Sequence, residues 1–120
     1  MTVEVARRYG NALDAEDWEE AHALLDPDLE VVRPSGRRYH GADRWIELVS
    51  RPGGFENIES RIEGRTYEQC NGKVIEVKDI AHRWRESGAL AYTSREQTSI
   101  TFRDGRIARL ESTVDHHEPA

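Results

Sequence analysis

Residues 73–115, KVIEVKDIAHRWRESGALAYTSREQTSITFRDGRIARLESTVD, decide the fold, because apolar and polar side chains alternate through three long segments of this stretch. The segments cover residues 73–86, 89–103 and 106–115. Ser87-Gly88 and Asp104-Gly105 separate them, and both dipeptides are typical of hairpin turns. The pattern therefore predicts three consecutive antiparallel strands.

Further strands and three helices precede this stretch. Residues 58–67 alternate in the same way, and residues 29–33 form another short strand. Apolar side chains at helical spacing predict one helix over residues 2–15, a shorter one between Asp17 and Pro27, and a third from Ala42 to a stop at Pro52-Gly53-Gly54. Helices followed by antiparallel strands indicate an α+β fold, with three N-terminal helices packed on one face of a strongly curved sheet.

Length and charge exclude several classes of protein. The 120 residues suit one domain, residues 1–115, followed by a short tail, residues 116–120. A net charge of −6 argues against a nucleic-acid binder, which concentrates basic side chains on one face. Apolar runs such as Leu24-Leu25 are far shorter than the ~20 residues of a membrane span. With a single cysteine and no leader-like segment, the expected compartment is the cytoplasm.

The turn at Ser87-Gly88 sets the face of each central strand. A two-residue turn pairs Glu86 with Ala89 and places Asp79 beside Glu96 on the face towards the helices. That face has apolar ends around a polar middle of Asp79, Glu96, Thr98 and Ser112. In full, Ile75, Val77, Asp79, Ala81 and Arg83 oppose Ile100, Thr98, Glu96, Ser94 and Tyr92, with Ala108, Leu110, Ser112 and Val114 on the last strand. Several polar groups among apolar ones predict a wet cavity, because a buried polar group without a partner costs about 1–3 kcal/mol. The alternatives are that Asp79 and Glu96 form structural ion pairs with Arg33 or Arg83, or that the register differs by one residue, which would exchange the two faces.

The opposite face of the same strands carries Ile80, His82 and Trp84. An exposed apolar patch is more typical of a subunit contact than of a reaction site, so this register predicts a homodimer through the outer face of the sheet. The tail is the only metal-like cluster, but the adjacent His116 and His117 would point apart on an extended segment. No metal or other cofactor is expected.

Four stretches together resemble the NTF2-like superfamily, with SnoaL-like proteins and bacterial ketosteroid isomerases as the most similar branches. They are ALDAEDWEEAHALLDPDLEV, VRPSG, YHGADRWIELV and FRDGRIARLES, at residues 12–31, 32–36, 39–49 and 102–112. The resemblance implies a cone-shaped, cystatin-like α+β fold with a pocket between helices and concave sheet, and frequent dimerisation. It leaves the activity open, because the superfamily hosts cyclases, isomerases, dehydratases, epoxide hydrolases and non-catalytic binders.

The residues at the family's catalytic positions narrow the range of possible activities. Tyr9, in RRYGNAL, falls where ketosteroid isomerases keep an oxyanion-hole tyrosine. Their catalytic aspartate base is replaced by Arg33, which cannot take a proton at neutral pH, and their protonated aspartate is replaced by Thr98. Steroid isomerisation by that route is not expected. The Asp/Arg/Asp grouping of epoxide hydrolases would require Asp79, Arg33 and Glu96 to converge in space.

These residues predict a cofactor-independent enzyme that acts on a small organic molecule by acid–base chemistry. Tyr9, helped by Thr98, would stabilise a carbonyl or alkoxide oxygen, Asp79 or Glu96 would move the proton, and Arg33 would orient the substrate. Other candidate substrate contacts are Ser112, Trp45 and Tyr92. Isomerase, dehydratase, cyclase and epoxide hydrolase chemistry all remain open. The alternative is a non-catalytic ligand-binding or dimerisation domain, in which the same charged groups pair with one another.

Overall fold

The computed structural model describes residues 2–51 and 57–117, and confirms the predicted α+β architecture. Three helices, α1 (Thr2–Asp14), α2 (Trp18–Ala23) and α3 (Ala42–Val49), lie in the first half of the chain. The strands are β1 (Leu25–Val32), β2 (Arg38–His40), β3 (Ile58–Cys70), β4 (Lys73–Trp84), β5 (Leu90–Arg103) and β6 (Arg106–His117). The predicted end of the third helix, Pro52-Gly53-Gly54, lies outside the described residues.

The six strands form one sheet in the order β2-β1-β6-β5-β4-β3. All neighbouring strands are antiparallel except β1 and β6, which are parallel. The helices cover the inner face, and the core between the two layers includes Ala6, Leu29, Val31, Val74, Ile100 and Ile107, each at most 1% exposed. The sheet places β3 at one edge, where α1 packs on it.

Several boundaries differ from the predictions. Strand β1 starts at Leu25 rather than at residue 29, so Pro27 lies within it, and the register with β6 shifts between Leu25 and Glu30. Such an irregularity accommodates a proline, which cannot donate to the ladder. Strand β2 was not predicted, and β6 continues through His117, past the predicted end of the last strand at residue 115.

The predicted register between β4 and β5 is wrong by one residue. Lys78 pairs with Glu96, and Asp79 pairs with Arg95. The connection is a four-residue loop rather than a two-residue turn: the Trp84 N–H donates to the Ala89 carbonyl at 2.9 Å, and the register shifts again between His82 and Arg83. Because side chains alternate between faces, this slip exchanges the two faces of β4.

The exchange corrects two predictions. The inner face of β4 carries Val74, Glu76, Lys78, Ile80, His82 and Trp84, whereas Asp79 lies on the outer face. The predicted dimer surface of Ile80, His82 and Trp84 is therefore on the inner side of the sheet. On β5 and β6 most of the predicted inner side chains are confirmed, since Thr98 pairs with Ser112 and Ile100 with Leu110, but a register shift after Thr101 places Ile107 rather than Ala108 opposite Phe102.

A bulge redirects β3. The register with β4 shifts between Ile62 and Gly64, so Ser60 and Ile62 face inward before the bulge, and Arg65 and Tyr67 face inward after it. Without the extra residue, Arg65 would point away from the helices. The bulge thus brings a cation into the space beneath α1.

None of the helices within residues 2–51 and 57–117 has the length and apolar character needed to cross a membrane.

Candidate functional site

Five alternating charges cross the inner face of the sheet, and we call them the charged row: Arg33, Glu96, Lys78, Glu76 and Arg65. Arg33 Nη1 lies 3.5 Å from Glu96 Oε1, and Lys78 Nζ lies 3.7 Å from Glu96 Oε2. Lys78 Nζ also lies 3.8 Å from Glu76 Oε1, and Arg65 Nε lies 3.5 Å from Glu76 Oε2. Strand alternation produces this order, because Glu76 and Lys78 are two residues apart on β4 and Lys78 is paired with Glu96 on β5.

The charged row is buried at its centre and accessible at one end. The side chains of Glu76 and Glu96 are 9% and 12% exposed, whereas that of Arg33 is 37% exposed. Charges this deeply buried are tolerated in proteins when each has a partner of opposite sign. Arg33 is therefore the member of the row best placed to meet a ligand from solvent.

The other end of the row is fixed under α1. Arg65 makes a bidentate contact with Asp14, with nitrogen–oxygen distances of 2.9 and 3.2 Å. A Cβ added at Gly10 would lie 2.7 Å from Arg65 Nη1 and would also overlap Tyr67 Oη. Glycine at this position therefore allows the arginine and tyrosine to approach the helix backbone.

Tyr9 and Trp45 form a buried hydrogen bond between α1 and α3. Trp45 Nε1 donates to Tyr9 Oη at 2.8 Å, and the two residues are 7% and 5% exposed, respectively. Burial, only partly offset by the Trp45 hydrogen bond, raises the pKa of Tyr9 to about 12. The Tyr9 hydroxyl is therefore protonated at neutral pH, and its own hydrogen remains available for an acceptor.

Hydroxyl groups continue the polar surface beside the charged row. Thr98 Oγ1 and Ser112 Oγ lie 2.8 Å apart, and both residues are 5% exposed. Thr98 is cross-strand from Glu76 and two residues from Glu96 on the same face. The pair adds two buried hydroxyl groups to the inner face of the sheet beside the charged row.

Farther along the strands, His82 is the centre of a second polar cluster. Ser60 Oγ lies 2.6 Å from His82 Nδ1, and Ser94 Oγ lies 2.8 Å from His82 Nε2. The Tyr92 ring stacks on the imidazole with centroids 4.1 Å apart, and His116 packs edge-on against Tyr92. Burial, together with the nearby His116, lowers the pKa of His82.

The predicted site residues are thus only partly brought together. Arg33, Glu96, Thr98 and Ser112 lie on the inner face of the sheet, and Tyr9 and Trp45 pack from the helices above it. The Arg33 guanidinium connects the two layers, because it contacts Glu96 and lies 5.6 Å from the Trp45 ring centroid. Asp79 does not join them: it is exposed on the outer face, where Arg95 Nε donates to it at 2.8 Å. The proposed Asp79–Glu96 carboxylate pair and the Asp79–Arg33–Glu96 grouping do not form. Tyr92 belongs to the His82 cluster instead.

Three charged residues of the site were not predicted: Glu76, Lys78 and Arg65. On β4 the apolar Ile75 and Val77 alternate with Glu76 and Lys78, and the two-residue turn expected at Ser87-Gly88 places the wrong set on the inner face. The sequence did contain one signal for Glu76 and Lys78. They are two residues apart, as are the polar side chains on the inner face of β5, so the two sets can lie opposite each other. Arg65 could not be assigned to a face without knowledge of the β3 bulge.

Among residues 2–51 and 57–117, no three His, Cys, Asp or Glu side chains are grouped so that they could hold a metal ion.

Known proteins share this fold. The family model of the SnoaL-like domain matches residues 6–110. An NTF2-like protein from Burkholderia xenovorans LB400 has a TM-score of 0.76 and 15% identity over 95% of this chain and 88% of that one. An LEH-like epoxide hydrolase from M. tuberculosis has a TM-score of 0.71 and 21% identity over 95% of this chain and 82% of that one.

TerC, co-crystallised with polyporic acid, has a TM-score of 0.73 and 22% identity over 95% of this chain and 91% of that one. At these identities the likeness to solved structures extends to the fold alone. Among curated proteins, none matches the sequence significantly.

Proposed function

Because the chain belongs to the SnoaL-like domain family of the NTF2-like superfamily, we propose that it is an enzyme that moves a proton on a small organic molecule. The chemistry would use side chains alone, of the isomerase, dehydratase, cyclase or epoxide hydrolase type, and the cytoplasm is the expected compartment. One observation carries the proposal: Glu96 lies on the inner face between two cations, Arg33 at 3.5 Å and Lys78 at 3.7 Å.

Glu96 takes the role of proton carrier in this proposal. A carboxylate can accept a proton from carbon or from water. Lys78 and Arg33 fix the position of its carboxylate, and Arg33 extends towards solvent. Asp79, the other proton carrier predicted from the sequence, is not assigned this role because it lies on the outer face of the sheet.

Tyr9 is the proposed hydrogen-bond donor to the substrate oxygen. Negative charge develops on that oxygen when a carbonyl is enolised or an epoxide opens, and a donor already in place stabilises it. Tyr9 accepts from Trp45 and keeps its own hydrogen, which suits this task. Thr98 and Ser112 supply further hydroxyl groups on the inner face of the sheet.

The alternative function is a non-catalytic binder of small molecules. The pairing within the charged row favours it, because all five members already contact an opposite charge. A site that serves only to bind needs no group free to take a proton. The structural neighbour TerC was co-crystallised with polyporic acid, which supports a small organic ligand under either function.

Two assays separate these functions. The first follows hydrolysis of racemic styrene oxide, and the second follows deuterium uptake at the α-carbon of phenylacetone in D₂O. We expect turnover in at least one assay, and we expect Glu96→Gln to lower it by ~100-fold or more, the usual contribution of general acid–base catalysis.

Asp79→Asn is the matched control, since it removes a carboxylate from the same sheet but from the outer face. We expect it to leave turnover unchanged. Equal turnover by the wild type and Glu96→Gln would contradict the proposed role. Saturable binding of either compound by a wild type without turnover would favour the non-catalytic alternative.

A further inference from the structure

Two arginines stand at the two ends of one tight turn. The segment Arg33-Pro34-Ser35-Gly36-Arg37 connects β1 to β2, and the Arg33 N–H donates to the Arg37 carbonyl at 2.8 Å. The Gly36 N–H donates to the Arg33 carbonyl at 2.8 Å, and Gly36 has a φ of 87°, which glycine adopts without strain. The closed turn therefore holds the two arginines side by side.

Both arginines line one shallow surface cavity that is wide open to solvent. Pro34, Ser35, Gly36 and Tyr39 complete its wall, which includes no carboxylate side chain. Within residues 2–51 and 57–117, Arg37 makes no ion pair. A chain of net charge −6 thus presents a local concentration of positive charge at this point.

Arg33 connects this cavity to the charged row. Its contact with Glu96, at 3.5 Å, is longer than the ~2.7–2.9 Å of a close charge-assisted hydrogen bond, so the guanidinium keeps donors for a second anion. The Trp45 ring lies beneath the guanidinium, with 5.6 Å from Cζ to the ring centroid, and the Tyr39 ring lies 6.0 Å from that of Trp45. Aromatic stacking restricts the direction in which Arg33 can donate.

We propose that the cavity at Arg33 and Arg37 binds the carboxylate of a small organic acid. A planar guanidinium matches a carboxylate in geometry, and the Tyr39 ring in the wall favours an acid with an unsaturated or aryl group. The inference rests on the proposed function, because the Arg33 contact with Glu96 then places the rest of the bound acid beside the proton carrier. Arg37 in this arrangement binds substrate charge, and Glu96 acts on the attached carbon skeleton.

The test uses benzoate as the probe and benzamide as its neutral counterpart. Each is titrated into the full ¹⁵N-labelled chain, and the amide resonances of residues 33 and 35–39 are followed. We expect saturable shifts with benzoate and none with benzamide. We expect Arg37→Gln to weaken benzoate binding by about tenfold, as the loss of one charge-assisted contact predicts.

Arg38→Gln is the matched control. Arg38 is the next residue and is exposed, but its side chain lines a different cavity together with Glu30 and His40. We expect this variant to bind benzoate within about twofold of the wild type. Equal shifts by benzoate and benzamide, no saturable shift with benzoate, or equal effects of the two variants would overturn the proposal.

The same titration on Glu96→Gln distinguishes this inference from the proposed function. Removal of the Glu96 charge frees Arg33, so benzoate should bind at least as tightly as it does to the wild type. Benzoate binding with undiminished turnover in Glu96→Gln would support the anion site and reject Glu96 as proton carrier. Loss of turnover in Glu96→Gln without benzoate binding to any variant would support the enzyme and reject the anion site.

Discussion

The ammonium of Lys78 lies 3.7 Å from the carboxylate of Glu96, its cross-strand neighbour on the inner face of the sheet. It also lies 3.8 Å from Glu76, so one cation separates two buried carboxylates. The Lys78 side chain is only 18% exposed, which limits screening of these contacts by water. Lys78 thereby links the two halves of the charged row.

Lys78→Met should destabilise the protein strongly, since it leaves Glu76 and Glu96 buried without the cation between them. We expect a loss of about 3 kcal/mol in the free energy of unfolding, at the lower end of the range for a broken buried ion pair, because Arg33 and Arg65 remain. Urea unfolding measures it. Lys73→Met, at an exposed position of the same strand, should change the value by less than ~0.5 kcal/mol. Equal effects of the two variants would contradict a buried role for Lys78.

The buried hydrogen bond between Tyr9 and Trp45 leads to a second prediction. Tyr9→Phe leaves the Trp45 indole N–H without its acceptor, which should cost about 1–3 kcal/mol of stability. The double variant Tyr9→Phe/Trp45→Phe should cost less than the two single changes together, because both partners are then absent. Strict additivity in thermal or urea unfolding would show that the bond contributes nothing.

Tyr9 also predicts how stability changes in alkali. Its pKa rises from the ordinary 10.0 to about 12 in the folded chain, so the unfolded chain loses this proton first as pH increases. The contribution is intact below pH 10 and is lost between pH 10 and about 12. Tyr9→Phe should therefore show a smaller decrease in stability over this interval.

The helix order and the inner faces of β5 and β6 could be predicted from sequence, because apolar periodicity and the Asp104-Gly105 turn agree there. The face of β4 could not. Its apolar Ile75 and Val77 turn outward and its charged Glu76 and Lys78 turn inward, the reverse of ordinary amphipathic alternation.

The assignment of the two faces of β4 depends on the length of the loop between β4 and β5. Ser87-Gly88 fits a two-residue turn by composition, yet the chain uses four residues and puts only Gly88 in the left-handed region, at a φ of 75°. The composition of these residues does not determine whether the loop has two or four residues. A one-residue error in the register moves every side chain of the strand to the opposite face. Asp79 was assigned to the site for this reason, and Lys78 was not.

Gly10 supplies a further test, directed at the contact between α1 and β3. Gly10→Ala should destabilise the chain by about 1–3 kcal/mol, because the new methyl group displaces Tyr67 and Arg65. This cost opposes the helix preference of alanine, worth up to ~1 kcal/mol. Asn11→Ala, at the next and exposed position, should show no such loss.

Tyr67→Phe tests whether overlap with the Tyr67 hydroxyl causes the loss of stability in Gly10→Ala. The Tyr67 hydroxyl is buried beside Glu76 and Arg65 but makes no hydrogen bond of good geometry within the described residues, so its removal alone should cost less than about 1 kcal/mol. It also removes one of the atoms that the new methyl group would overlap. Gly10→Ala should therefore cost less in the Tyr67→Phe background, and an unchanged cost would assign the effect to the helix backbone instead.

His82 makes stability depend on mildly acidic pH. Its pKa in the folded chain is lowered from 6.5 by burial and by His116, so the unfolded chain binds a proton first as pH falls through 6.5. Stability should decrease on acidification through this range, and less so in His82→Gln. Urea unfolding at about pH 7.5 and about pH 5.5 measures the difference. Equal decreases in the two proteins would contradict the lowered pKa.

A substitution at Trp84 tests the predicted homodimer. Because Trp84 lies on the inner side of the sheet and not on the outer face, the contact between subunits is expected on the inner side. Trp84 and Ile62 are 43% and 42% exposed on the inner side of β4 and β3. Large apolar side chains left open to water are typical of contacts between subunits. We expect light scattering to give the wild type twice the 13.8 kDa chain mass, and Trp84→Glu to give the chain mass itself. Arg85→Glu, exposed at the adjacent position, should remain dimeric. A wild type with the mass of one chain would reject the dimer, and a dimeric Trp84→Glu would place the contact elsewhere.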